Sequence, residues 1–141
     1  MHTPEQRTVL IEDIRSLPDA LAAAVSGWSN AQLDFRPAQS EWCARQIVHH
    51  VADSHMHSFI RMKLALSEDN PTIKPYDQEV WAEMVDTTQP PIDDSINLLR
   101  GLHARWVVLW ESLSEADYRR TYYHPETQAQ TSLDDHLAIY S

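Results

Sequence analysis

Apolar positions recur at spacings of three and four along most of the chain, which predicts helices throughout. Thr3-Pro4-Glu5-Gln6 reads as a start: Thr3 caps, Pro4 suits the first helical position and Gln6 completes a capping box. Val9, Leu10, Ile14, Leu17, Leu21, Ala24 and Val25 then mark a face, with Pro18 expected to kink the helix and Gly27 to end it. Residues 28–41 form a connection, with a turn of helix at Ser29 to Leu33. A second helix runs from about Cys43 to Leu66, roughly 36 Å. Its inward face is read as Ile47, His50, Val51, Ser54 and Leu64, broadened by Met56, Phe59 and Ile60.

Residues 67–94 are broken by Pro71, Pro75, Pro90 and Pro91, with a short helix at Asp77 to Met84 and packing from Tyr76, Val80 and Trp81. A third helix starts near Asp93 or Asp94 and carries Ile96, Leu99, Leu102, His103, Trp106, Val107, Leu109, Trp110 and Leu113. A short turn follows at Ser114 to Asp117, and Arg119 to Thr131 is polar. Ser132 caps a fourth helix from Leu133 to Ser141, with Asp134 and Asp135 well placed at its N-terminus. No strand alternation shows. The pattern is all-α, an antiparallel four-helix bundle in one domain over 1–141, with a long second connection. The fourth helix stops with no ending signal, so a part of it is expected beyond Ser141.

Composition narrows the function. Eleven basic residues against 21 acidic give a net charge of −10, which repels phosphate backbones and argues against nucleic acid. No apolar run approaches the roughly 18 residues of a membrane span, and no signal peptide is visible, so no membrane association is expected. The single cysteine, Cys43, forms no internal disulfide and fits a cytoplasmic protein. Two glycines argue against phosphate-cradling loops, and five tryptophans support a real core.

Histidine carries the candidate chemistry. Four of the eight histidines fall at His49, His50, His55 and His57. His49 and His50 point about 100° apart and cannot easily share an ion. The periodicity aims His50 inward and leaves His49 at the edge. Asp53 could orient the His50 imidazole from behind. His57, two turns on, is too far along the axis for the same ion. An inward histidine is either an arm of a metal site or a hydrogen-bonded core residue, and the spacing alone leaves both open. His103 is either near the bundle centre or bonded to a backbone carbonyl. His124 is at a pocket mouth or in a solvated turn, and His136 is an exposed or half-buried helix position. No His-Glu-x-x-His, paired cysteines or serine elbow occurs. Cys43 is read as a thiol at a capping position, with a redox sensor as the weaker alternative.

The order Trp42, Arg45-Gln46, His49-His50-Val51-Ala52-Asp53-Ser54-His55-Met56 resembles the DinB/YfiT-like superfamily. So do Arg61 to Leu66, Pro71 to Asp77, Trp81, Leu102 to Trp106 and Tyr122-Tyr123-His124-Pro125. The resemblance implies a cytoplasmic, homodimeric four-helix bundle that binds zinc or nickel in a three-histidine site. It implies a metal-dependent hydrolase, or a transferase joining a low-molecular-weight thiol such as bacillithiol to small electrophiles. In that pattern His50 is the first ligand, and the other two follow a Leu-x-x-Tyr stretch, here Leu137-Ala138-Ile139-Tyr140, which places them beyond Ser141. His136 lies about two turns too early, roughly 10 Å away, to replace them. Tyr76, His103, Tyr123 and His124 are the expected pocket residues. The competing reading is a non-catalytic dimeric binding or stress-response protein with a vestigial site.

Overall fold

The computed structural model describes residues 1–141. Helix α1 (Pro4–Ala24) begins at Thr3, whose hydroxyl accepts from the Gln6 N–H while the Gln6 side chain accepts from the Thr3 N–H. It runs on through Pro18, and Gly27 turns the chain with a φ of +76°. After the short α2 (Asn30–Leu33), α3 (Ala44–Ser67) starts from Cys43 as its N-cap. The Gln46 side chain accepts from the Cys43 N–H at 3.0 Å. Two short helices follow, α4 (Gln78–Ala82) and α5 (Val85–Thr88), where the sequence suggested one. Helix α6 (Ile92–Glu111) then starts at Pro91 with Asp93 and Asp94 in its first turn. The short α7 (Glu115–Tyr118) precedes a hairpin, and α8 (Leu133–Tyr140) is capped by Ser132.

The hairpin, β1 (Thr121–His124) against antiparallel β2 (Ala129–Ser132), corrects the expectation of no strands. Four residues each are too short for a period of two to show. Residues 71–73 run alongside β1: Tyr123 N–H donates to Pro71 O and Ile73 N–H to Tyr123 O.

Helix α6 packs on both α1 and α3, and α8 packs on α1 and α3. The core joins Ile11, Ile14, Phe59, Met62, Trp106, Val107, Trp110, Leu133 and Leu137, with Tyr118 from the short α7 and Tyr122 from β1. Trp106 and Trp110 are fully buried, and burying such rings is a major source of stability in a small bundle. At the α8 N-terminus, buried Asp134 accepts from Arg7 Nε at 2.7 Å and from the His2 N–H at 2.7 Å, tying α8 to the start of the chain.

The buried face of α3 differs from the expected one. It carries Val48, His49, Ala52, His55, Ser58, Phe59, Met62 and Ala65, while Ile47 and Ile60 are 46% and 55% exposed. The face is therefore turned by about one residue, some 100°, from the phase that the isoleucines suggested. His49 and Gln46 occupy buried positions because each finds partners there. His49 is bonded to the Ser95 hydroxyl (2.7 Å) and the Pro90 carbonyl (3.2 Å), and Gln46 donates to the Ala82 carbonyl (2.7 Å).

Candidate functional site

Four residues of α3, His50, Ser54, His57 and Arg61, recur at spacings of four, three and four. At about 100° per residue they form one narrow stripe beside the core face. The segment carrying Tyr76 and α4 closes over it. The Tyr76 ring stacks on His57 at 4.2 Å, Trp81 meets His57 edge-on at 5.1 Å, and Trp42 meets His50 edge-on at 4.8 Å. Trp42 is held in turn by its indole N–H donating to Glu79 at 3.0 Å.

His50 is half-buried, and His49 is the buried member of the pair, the reverse of the expected arrangement. The stripe between core and solvent is where a side chain can meet a ligand, so the turn of the helix does not remove His50 from a site. Burial pushes its pKa below the usual histidine value and outweighs the pull of Asp53 and Glu79. The ring is thus neutral at pH 7 with a lone pair to offer. Asp53 is close enough to interact with His50 through space, but no side-chain hydrogen bond joins them. Burial, followed by the nearby Asp86, raises the Asp53 pKa. The His57 Nδ1–H donates to the Asp53 carbonyl at 2.8 Å.

Below His50 the stripe opens into a polar cleft of about 460 Å³ lined by Ser54, Arg61, Tyr76, Gln78, His124 and Tyr140, among others. Of the four expected pocket residues, Tyr76 and His124 line this cleft. Tyr123 does not: its backbone is used in pairing with residues 71–73 and its half-buried side chain lies outside the lining. His103 is also elsewhere, 1% exposed in the core, with its Nδ1–H donating to the Ile14 carbonyl at 2.6 Å. Pro18, four residues after Ile14, has no N–H to offer that carbonyl, and His103 fills the vacancy. This bond fixes the tautomer of His103, so its Nε2 accepts and the His55 Nδ1–H donates to it at 2.9 Å. His136 is fully buried rather than exposed, bracketed by the Ser58 hydroxyl at 2.6 Å and the Tyr122 hydroxyl at 2.8 Å.

Arg61 and Tyr140 are among the cleft residues that the periodicity missed. The signal was available: Arg61 is a charge inside the apolar run Phe59-Ile60-Arg61-Met62, eleven residues from His50 and so within about 20° of it around the helix.

As a metal centre the residues fit in part. His50 has the right chemistry for one arm, a neutral imidazole beside a carboxylate. No group of three or more His, Cys, Asp or Glu side chains converges to complete a coordination sphere.

The model of the DinB superfamily matches residues 13–141. The chain belongs to the DinB superfamily. A Bacillus mycoides relative, named "Putative metal-dependent hydrolase", is 47% identical over 131 residues, covering 93% of this chain and 75% of its own. A Bacillus cereus protein with the same name is 45% identical over 139 residues, covering 99% of this chain and 79% of its own. Among solved structures, Bacillus subtilis YfiT superposes with a TM-score of 0.96 at 38% identity, covering 99% of this chain and 80% of that one. YfiT is described as "a probable metal-dependent hydrolase with an unusual four-helix bundle topology". The bundle expected from the helical periodicity is thus the architecture of this superfamily member. No helix is long and apolar enough to cross a membrane.

Proposed function

We propose that this DinB-superfamily chain is a metal-dependent hydrolase, or a transferase of a low-molecular-weight thiol such as bacillithiol, acting on a small electrophile. The observation that carries the reading is His50: a neutral, half-buried imidazole one helical turn before Ser54, which lines the polar cleft, in a chain whose relatives are named as metal-dependent. In this reading His50 is one of three histidine ligands and the other two follow Ser141. Zinc or nickel suits such a nitrogen-rich set, and would make water or a thiol nucleophilic at neutral pH. The chain's own residues supply the rest. Asp53 holds its charge near His50 and favours the orientation of the ring. Tyr76, Trp81 and Trp42 wall the site on the α4 side and limit water. The cleft residues receive the substrate. A cytoplasmic homodimer is part of the same proposal.

Metal content of the gene product purified from its host tests it. We expect about one zinc or nickel per chain, lost in His50→Ala. Unchanged metal content in that variant overturns the ligand assignment. Release of product from electrophiles with and without bacillithiol separates transferase from hydrolase. The second reading is a non-catalytic binding module with a vestigial site. A gene product that carries no metal and turns over neither substrate class would establish that reading instead.

A further inference from the structure

Three arginines are buried, and two of them are matched with carboxylates. Arg7 donates to Asp134 and Glu115. Arg45 donates to Asp34 at 2.6 Å, to the Asn30 side chain and to the Pro90 carbonyl. Arg61 is different. It is 8% exposed, forms no ion pair, and its one hydrogen bond runs from Nη1 to the Tyr140 hydroxyl at 3.2 Å. Its Nε–H has no partner at all. A guanidinium stays protonated at any working pH, so its charge cannot be relieved by losing a proton. Leaving that charge and its donors buried and unmatched costs kilocalories. The same cleft holds a second buried polar atom without a partner, Nδ1 of His124. Two carboxylates, Asp77 and Glu126, also line the cleft, but both residues are exposed and neither pairs with Arg61. Asp77 is occupied in capping α4, accepting from the Glu79 and Val80 N–H groups.

We propose that Arg61, with Tyr140 and His124 beside it, is an anion subsite that takes a carboxylate or phosphate group of the substrate. An oxyanion fits the fork of the guanidinium and supplies acceptors to donors that now have none. In a chain of net charge −10, such a local positive site is what admits an anionic ligand. Arg61 lies about 16 Å along the α3 axis from His50 and on the same stripe, and its side chain leans back towards the N-terminus and shortens that gap. A small molecule anchored at Arg61 therefore extends along the cleft towards His50. That orientation rests on the reading of His50 above, while anion binding does not.

Calorimetric titration of the metal-free chain, at fixed ionic strength, tests the subsite with three probes: sodium benzoate, inorganic phosphate and neutral benzamide. We expect saturable binding of benzoate or phosphate, and whichever binds more tightly identifies the class. Benzamide should bind at least tenfold more weakly than benzoate if the carboxylate is the ligand. Arg61→Gln should weaken the anion at least tenfold, with Arg61→Lys, which keeps the charge and loses the fork, in between. Arg61→Met should raise the melting temperature without anion present, because it removes an unmatched buried charge. Absence of saturable binding to both anions, equal binding by Arg61→Gln, or a lowered melting temperature for Arg61→Met overturns the proposal. The titration contains no metal, so its failure leaves the His50 reading standing, and a metal-free gene product leaves the subsite standing.

Discussion

Lowering the pH from 7 to 5 should destabilise the fold by about 4 kcal/mol, through two core histidines. Burial pushes His55 and His136 down to about 3. His103 and His50 repel a charge on His55, and Arg61 and His55 repel one on His136. The remaining neighbours of His136 are the Ser58, Tyr122 and Tyr140 side chains and two indoles, and no carboxylate faces either ring. In the unfolded chain both titrate near about 6.5. The unfolded state therefore binds protons that the native state refuses, so stability is full above that value and falls as the pH drops towards 3. Between pH 7 and 5 each ring contributes a loss of about 1.9 kcal/mol, from the difference in protonation of a group at about 6.5. His50 and His103, also lowered by burial, add to the loss, and Asp53, raised by burial, opposes it at the low end. Urea unfolding followed by circular dichroism at pH 7, 6 and 5 reads the effect. For an m-value of about 2 kcal/mol/M the midpoint should fall by about 2 M. His55→Gln and His136→Gln should each remove about half of the dependence. A profile flat to within about 1 kcal/mol, or one unchanged in both variants, refutes the reasoning.

Asp134→Asn should lower stability by about 3 kcal/mol at pH 7, the low end for breaking a buried ion pair, because Arg7 keeps its second partner Glu115. Hydrogen bonds from Arg7 and His2 outweigh burial and hold the Asp134 carboxyl below the usual range, so its contribution is present above about pH 4 and lost below, and the wild-type and variant stabilities should converge in acid. The bond from His103 to the Ile14 carbonyl gives a third test, a double-mutant cycle read by urea unfolding. Pro18→Ala restores a backbone N–H to that carbonyl, so it should stabilise the His103→Phe background by about 1 kcal/mol more than it stabilises the wild type; equal effects in both would show that the carbonyl was never short of a donor.

What the sequence reveals here depends on whether a residue's chemistry and its burial agree. The long helices were legible because apolar spacing, the caps at Thr3 and Ser132, and proline positions all point one way. The hairpin was not, since Tyr122 is its only fully buried side chain and the turn between the strands carries no hairpin dipeptide. On α3 the two disagree. Two isoleucines face solvent while Arg45, Gln46, His49, His55, Ser58 and Arg61 lie buried, so periodicity read from hydrophobicity alone selects the wrong phase.

That disagreement also separates the histidines. His49, His55, His103 and His136 are the buried ones, and each is matched: to Ser95 and Pro90, to one another, to Ile14, or to Ser58 and Tyr122. His49, His103 and His136 have both ring nitrogens engaged, whereas His55 is bonded through Nδ1 alone. His50, half-buried, contacts the edge of Trp42 and has no hydrogen-bond partner to consume its nitrogens. On α3, His50 is the histidine with neither ring nitrogen hydrogen-bonded, while His55 and His57 are each bonded through Nδ1. The same logic singles out Arg61 among the arginines. In both cases the residue with work left to do is the one whose bonding the fold leaves incomplete, and both lie on one stripe of one helix.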